Sequence, residues 1–513
     1  MERKNAGDGP HANPRDAPYV IVVDVSTRKI HAYLVSRSGM VDYTSSRSFR
    51  TVFFSPEQPY IVNIEPGMLW EGICGCVADC VKRATPEKIK AVTATCQRFT
   101  TAIVDRNGGT PALCPNMDVR GAEMEDVYTP TMGVRAYQIT GLHPSFLFSA
   151  DRIRWYAAND PKVFDSMKCA LTMQGWMFFK FTGVLADEPT QLAGTFLFDI
   201  RRREWCPETC QIAGISEDQL PKIVQFGELV GHPTSEFQKL TGLGGRTPVV
   251  MGAGDTQCAG IGSAAFSPGQ AFISLGSTAP LQAVMTEPKV DGMMRMWTSC
   301  FPMDGMWVLE SNASICGTAF DWLASSVLRM NDGDRVDYEG FDRLARSAPP
   351  GSADVAAFIG PNIMDAKAFT EVKPAAFVLP SLLVGEKPGA GEFARACYEC
   401  IAFACRGNLE QMAEVTKIEG EGTYVSRGLS RSALLRQILA DVLNKPISFP
   451  EVDRASAIGC AVAAWSYVES ENPKRVAKEL VRLERVAPTK DYEAYEAGYR
   501  RWKLISGKLG DLI

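Results

Sequence analysis

At 513 residues and 46% hydrophobic composition, the chain is too long for one hydrophobic core, so two or three globular domains are expected. Its 54 basic and 59 acidic residues leave a net charge of -5 and are well mixed, with no run of one sign that would form a nucleic-acid stripe or an acidic tail. No stretch approaches the roughly 20 uninterrupted apolar residues of a membrane span. Residues 1–18 are polar, rich in Gly, Pro, Asn and Asp, and read as a disordered tail without the apolar core of a secretory signal; a cytoplasmic protein is expected.

Tyr19 to Asp24 is a β-branched run ending in a carboxylate, followed by the polar turn Val25 to Lys29 and a second run from Ile30 to Val35, so a strand, a turn and a returning strand are predicted. A third strand follows the turn Ser36 to Gly39. From Met68 the apolar residues Trp70, Ile73, Cys74, Val77, Cys80 and Val81 recur at helical spacing, and Ile89 to Thr95 is again a strand. This order opens an α/β domain with a mixed sheet. Residues 130 to 245 read as mostly helical.

The apolar run Thr247 to Val250 then leads into Met251-Gly252-Ala253-Gly254-Asp255-Thr256-Gln257. Two glycines permit a tight turn, and the first polar side chain after it is a lone carboxylate, where an active-site base would sit; the competing reading is an ordinary turn with Asp255 as helix N-cap. A small-residue helix follows, then the strand Ala271 to Ser274, the turn Leu275 to Thr278 and the run Leu281 to Met285. The layout of residues 19 to 35 is thereby repeated, which implies two related domains facing across a cleft.

A helix from Phe393, a strand at Thr423 to Val425, a loop from Ser426 to Arg431, a helix with Leu434, Leu435, Ile438, Leu439 and Val442 on one face, a short strand Ile447 to Phe449 and an Ala-rich helix Ala455 to Tyr467 complete the second unit. Leu483 to Ile505 reads as a charged helical segment with Tyr492, Tyr495, Tyr499 and Trp502 as a docking stripe. Fifteen cysteines raise the question of metal sites. The one CxxC, Cys397 and Cys400, lies in a helix without a second pair, and the four histidines stand at 11, 31, 143 and 232, so buried free thiols are expected.

Three stretches together resemble the FGGY family of carbohydrate kinases: Gly252 to Gln257 leading to the turn 276 to 278, Arg395-Ala396 with Glu399 and Ile401 to Phe403, and Ser432 to Asp441 followed by Ala455 to Ala461. The first half adds Thr95 to Arg98, Asn116 to Arg120 and Gly194 to Asp199. The N-x-D-x-R form at 116 to 120 and the Pro349 to Ser352 stretch look most similar to the autoinducer-2 kinases of that family. The resemblance implies an α/β fold of two related actin-like (ribonuclease H-like) domains with an interdomain cleft. It assigns residues 19–254 to the substrate side and 255–513 to the nucleotide side.

The reaction implied is ATP-dependent phosphorylation of a hydroxyl on a small sugar, polyol or related compound of xylulose or autoinducer-2 type. By the same resemblance Asp255 is the catalytic base and also lines the substrate pocket with Gln97, Arg98, Phe99 and Asp118. Nucleotide binding falls to Asp24, Ser26, Thr27, Gly276, Ser277, Thr278 and Gly428, and Asp24 helps hold Mg²⁺ through water. Nucleic acid and membranes are not expected partners, and the resemblance leaves a homodimer open.

Four departures from the family pattern stand out. The first phosphate loop, D-x-G-T-x-x-x-R in the family, has Ser26 at its third position and His31 in place of the arginine. A serine fits there if φ stays negative. A run of three glycines is replaced by Arg427-Gly428-Leu429, a substrate-pocket histidine by Phe99, and an aspartate by Gly175. The alternative reading is therefore a catalytically weak or inactive binding or regulatory protein of the same fold. An actin-like or chaperone-like ATPase ranks behind both, because it leaves the 432 to 461 motif unexplained.

Overall fold

Tyr19–Val25 alternates its apolar side chains between two buried faces, as a strand in the middle of a covered sheet must. The computed structural model describes residues 17–510 apart from 56, 128–129, 333–334, 370–374, 418–421 and 427, so most of the expected N-terminal tail and Arg427 lie outside the described residues. In it, Tyr19–Val25 pairs antiparallel with Lys29–Ser36, which pairs antiparallel with Val41–Ser48. On its other edge it pairs parallel with Ile89–Cys96, which pairs parallel with Val249–Val250.

The second half repeats this arrangement. Gln270–Ser274 pairs antiparallel with Thr278–Met285, which pairs antiparallel with Trp307–Ile315. It also pairs parallel with Gly422–Ser426, itself parallel to Ile447–Pro450. Each half thus holds the same five-strand order with the same directions, and the repeat inferred from two hydroxyl-bearing turns extends through both sheets. Mixed sheets of this kind need helices on both faces.

On the first sheet Ile21 and Val23 meet Leu69, Ile73 and Val77 of the helix Pro66–Ala84. The opposite face, with Val20, Val22 and Val35, meets Cys258 and Ile261 of the helix Asp255–Ile261 and Ile458 and Val462 of the helix Ala455–Glu469. The same two helices touch the second sheet through Ala259, Ala455 and Phe272. They form the layer between the halves. The far side of the second sheet packs on the helices Ala390–Thr416, Ala433–Leu443 and Tyr492–Gly510, with Tyr495, Tyr499 and Trp502 buried as the docking stripe.

The two middle helices cross at backbone contact. A Cβ on Gly459 would lie 1.8 Å from the Cys258 carbonyl oxygen, and one on Gly262 would lie 1.9 Å from that of Ala455. Gly459→Ala is expected to destabilise the protein by about 3 kcal/mol, since backbone rather than a flexible side chain must give way. Gly507→Ala, in a helix with open space around the site, is expected to stabilise by up to about 1 kcal/mol. Denaturant midpoints of the two variants check the opposite signs.

Two expectations change. Residues 130 to 245 are less helical than their composition implies, because Met167–Leu171 joins Thr101–Asp105 and Ala112–Cys114 in a small sheet. Leu483–Val486 is a strand, not the start of the last helix: it covers the open edge of Ile447–Pro450 by antiparallel pairing. All fifteen cysteines are buried free thiols, and no helix among the described residues is long and apolar enough to cross a membrane.

Candidate active site

Most of the candidate site residues gather where parallel strands end, as ligand sites of open α/β sheets do. Asp24 closes Tyr19–Val25, Gln97 to Phe99 follow Ile89–Cys96, and Asp255 follows Val249–Val250 by way of the glycine turn. Gly276 and Ser277 follow Gln270–Ser274, and Gly428 follows Gly422–Ser426. The turn needs its glycine: a Cβ on Gly252 would sit 2.0 Å from the Ala94 carbonyl oxygen. The N-cap of the next helix is Gly254, so Asp255 is the first helical residue rather than the cap.

Asp24, Ser26, His31, Asp255 and Gly428 line one cavity of about 260 Å³ with Ser426, Arg431, Arg436 and Arg454. Ser456 Oγ donates to Asp24 Oδ2 at 2.9 Å, and Thr256 Oγ1 donates to Asp255 Oδ1 at 3.2 Å. Ser26 keeps a negative φ, since it is not among the residues with positive φ, and its N-H donates to the Lys29 carbonyl at 2.9 Å. The change from glycine therefore carries no backbone strain. His31 lies opposite Asp24 in the strand pairing and stacks on Tyr33. Burial, then Arg454 and Lys29, push its pKa below the usual histidine value.

A second cavity of about 520 Å³ shares Gly428 and Arg431 with the first and adds Gly276 and Ser277. Its wall includes Tyr338, whose hydroxyl donates to Asp321 at 2.6 Å, and Tyr398, which donates to Asp342 at 2.5 Å. Ser432 Oγ donates to the same Asp342 at 2.8 Å. Nothing in the sequence motifs pointed to Asp321, Tyr338 or Asp342. Thr27 and Thr278 line neither cavity. Thr278 is exposed, and the carbonyls of Gly276 and Ser277 accept from Gly317 and Cys316, each at 2.9 Å.

Arg98 reaches across the halves. Its Nη2 lies 2.5 Å from Glu310 Oε1, both side chains are buried, and Gln282 Nε2 donates to the other Glu310 oxygen at 2.6 Å. Its aliphatic stem also abuts Gly254, since a Cβ there would lie 3.0 Å from Arg98 Cδ and 2.8 Å from Gln257 Oε1. Arg98 and Gln257 thus stand against the Asp255 turn. The side-chain amides of Gln97 and Gln257 are buried without hydrogen-bond partners among the described residues. Such groups are costly unless something pairs with them.

Phe99 has φ 58° and packs on Phe148 and Trp297 with ring centroids 5.7 and 5.5 Å away. Arg152 Nη1 holds its carbonyl at 2.6 Å. Asp118 is fully buried beneath this wall and lines neither of the two cavities; it accepts from Arg120 Nε at 2.8 Å and from the Val62 N-H at 2.9 Å, while Arg152 Nε lies 3.2 Å away.

Two carboxyl groups near the turn escaped the motif reading. Thr190 Oγ1 accepts from the Gly254 N-H at 2.9 Å and donates to Glu188, whose own pKa burial pushes up to about 8. Thr190 thus ties Glu188 to the backbone that presents Asp255. Asp187 fills the space beside Gly175: a Cβ there would lie 2.4 Å from Asp187 Oδ2. A carboxylate thus stands next to the position where the family pattern has one, raised by burial to about 6.

Among the described residues no three His, Cys, Asp or Glu side chains cluster to hold a metal by themselves. Asp24 and Asp255 fit Mg²⁺, which takes one or two carboxylates and completes its shell with water and phosphate oxygens.

Residues 19–262 match the N-terminal domain, and residues 271–467 the C-terminal domain, of the FGGY family of carbohydrate kinases. The chain is similar to the autoinducer-2 kinase of Yersinia enterocolitica serotype O:8, at 27% identity over 95% of this chain and 94% of that protein. Its fold is similar to that of the ligand-bound xylulose kinase of Lactobacillus acidophilus, with a TM-score of 0.85 and 19% identity over 96% of this chain and 98% of that one. The glycerol kinase of Plasmodium falciparum with ADP gives the same TM-score and identity over 97% and 99%.

Proposed function

Because this chain belongs to the FGGY family of carbohydrate kinases, we propose that it transfers the γ-phosphoryl group of ATP to a hydroxyl of a small sugar, polyol or related compound of xylulose or autoinducer-2 type. The observation that carries this reading is the meeting of Asp24 and Asp255 in one cavity that shares Gly428 and Arg431 with a larger one. The larger cavity has the size and the mixed tyrosine and carboxylate wall that a nucleoside requires. The substrate side runs to Gly254 and the nucleotide side from Asp255.

In this reading the adenosine lies between Gly276, Ser277 and Gly428, and the phosphates extend toward Ser26 and Asp24. Mg²⁺ held through Asp24 would neutralise charge on the phosphate oxygens. The acceptor hydroxyl lies beside Asp255, which takes its proton as the oxygen attacks the γ-phosphorus and ADP leaves. The amides of Gln97 and Gln257, without partners among the described residues, and the guanidinium of Arg98 supply hydrogen bonds for further hydroxyls and hold the acceptor in line. ATP chemistry and fifteen buried thiols both suit a reducing cytoplasm.

The test combines Mg-ATP calorimetry with phosphorylation assays over ketoses, aldoses, polyols and the autoinducer-2 precursor. Mg-ATP binding with turnover of a member of that panel is the expected result. No Mg-ATP binding at millimolar concentration would leave the non-catalytic reading in its place.

A further inference from the structure

We propose that Arg454 is the cation that contacts the γ-phosphoryl oxygens of ATP during the transfer. The proposal rests on the kinase reading above and deepens it. Among the described residues, the cavity that holds Asp24 and Asp255 contains three arginines. Arg431 pairs with Asp453, and Arg436 pairs with Glu484 at 2.6 Å and with the Ser430 carbonyl. Arg454 makes no ion pair among the described residues; its guanidinium carbon lies 6.0 Å from the Tyr33 ring centroid, and its hydrogen bond to the Asp453 carbonyl is long, at 3.4 Å. One of the three therefore keeps its charge and its planar fork for a ligand.

Two further observations point to an anion here. Arg454 is the N-cap of the helix Ala455–Glu469, fifteen residues long, and no side chain caps that end. Its first N-H groups and the helix dipole favour negative charge at this position. Ser426, buried to 2% exposure, lines the same cavity and its hydroxyl has no hydrogen-bond partner among the described residues. A phosphoryl oxygen would satisfy it. The carboxylates of Asp24, Asp255, Glu451 and Asp453 also line the cavity, so an anion enters only as a complex with a divalent cation, which is how ATP binds kinases.

The position also explains His31. That side chain stands in place of the arginine expected in the first phosphate loop, and an imidazole cannot supply the fixed charge of a guanidinium. Arg454 faces the same cavity from the other half of the molecule and approaches the Tyr33 ring on which His31 stacks. The cation has moved from the first sheet to the helix between the sheets.

The test is calorimetry of Mg-ATP and Mg-ADP, with kcat and KM, on the full chain and on Arg454→Ala, Arg454→Lys and the double variant His31→Arg/Arg454→Ala. Arg454 is exposed, so the melting temperature should hold. Loss of a charge-assisted phosphate contact should weaken Mg-ATP by about tenfold or more while Mg-ADP changes little, lower kcat, and leave the KM of the acceptor unchanged. Lysine should restore part of the loss, and arginine returned to position 31 should restore at least part of the remainder. Equal Mg-ATP affinity and equal kcat in wild type and Arg454→Ala would overturn the assignment with the kinase reading intact. A wild-type protein that binds no Mg-ATP would overturn both.

Discussion

Asp255→Asn is expected to lower kcat by about 10²- to 10⁴-fold, the range for removing a positioned general base, while Mg-ATP affinity and melting temperature stay near those of the wild type. The substitution keeps the size and shape of the side chain at the first residue of its helix, and its partner Thr256 Oγ1 can still donate to the amide oxygen. What is removed is the ability to accept a proton from the acceptor hydroxyl. Turnover with the best acceptor, calorimetry and a thermal melt check the three parts separately. Activity within tenfold of wild type would remove Asp255 from the role of base. A parallel loss of Mg-ATP binding would instead make it part of the metal site.

The placing of Asp255 was legible because local signals agree there: an apolar strand, a glycine turn and a first polar residue stand in direct succession. The repeat was legible for a similar reason, since each hairpin joins an apolar first strand to a hydroxyl-bearing turn. Contacts between distant residues were not. Arg98 and Glu310 are 212 positions apart, and no periodicity in either segment reveals that they pair across the halves. Thr190 sits in a short helix without a motif of its own, yet it holds the Gly254 amide. The last strand was not legible because Leu483-Glu484-Arg485-Val486 carries three helix formers and one strand former, and the open edge of a neighbouring strand overrides that local preference. Asp118 shows the limit most clearly, because a motif marks a residue as constrained without saying whether a ligand or the fold constrains it.

Asp118→Ala is expected to destabilise the protein by about 3–5 kcal/mol, the cost of removing one partner from a buried ionic cluster. Asp118, Arg120 and Arg152 are all fully buried, and the carboxylate is the anion between the two guanidinium groups. Without it two positive charges remain out of reach of water. The stacking of Arg120 on Trp155 and Tyr156, at 4.9 and 4.8 Å, does not replace an anion, because a desolvated cation over a ring gains on the order of 2 kcal/mol, while a buried pair that loses one partner costs about 3–5 kcal/mol. Asp118→Asn retains the shape but turns its amide donor either toward the Val62 N-H or toward both guanidiniums, which meet the same carboxylate oxygen, so it should fall between wild type and alanine. The fold is not the whole consequence. Arg152 also holds the Phe99 carbonyl, and the strained backbone of Phe99 sets the direction of Arg98 beside the Asp255 turn. A residue that binds substrate directly would raise KM at unchanged melting temperature; a residue that positions Arg98 through Arg152 and Phe99 must lower both stability and acceptor affinity. Melting curves and acceptor KM measured on the same Asp118→Asn preparation separate the two, and a raised KM with an unshifted melt would return Asp118 to the substrate pocket.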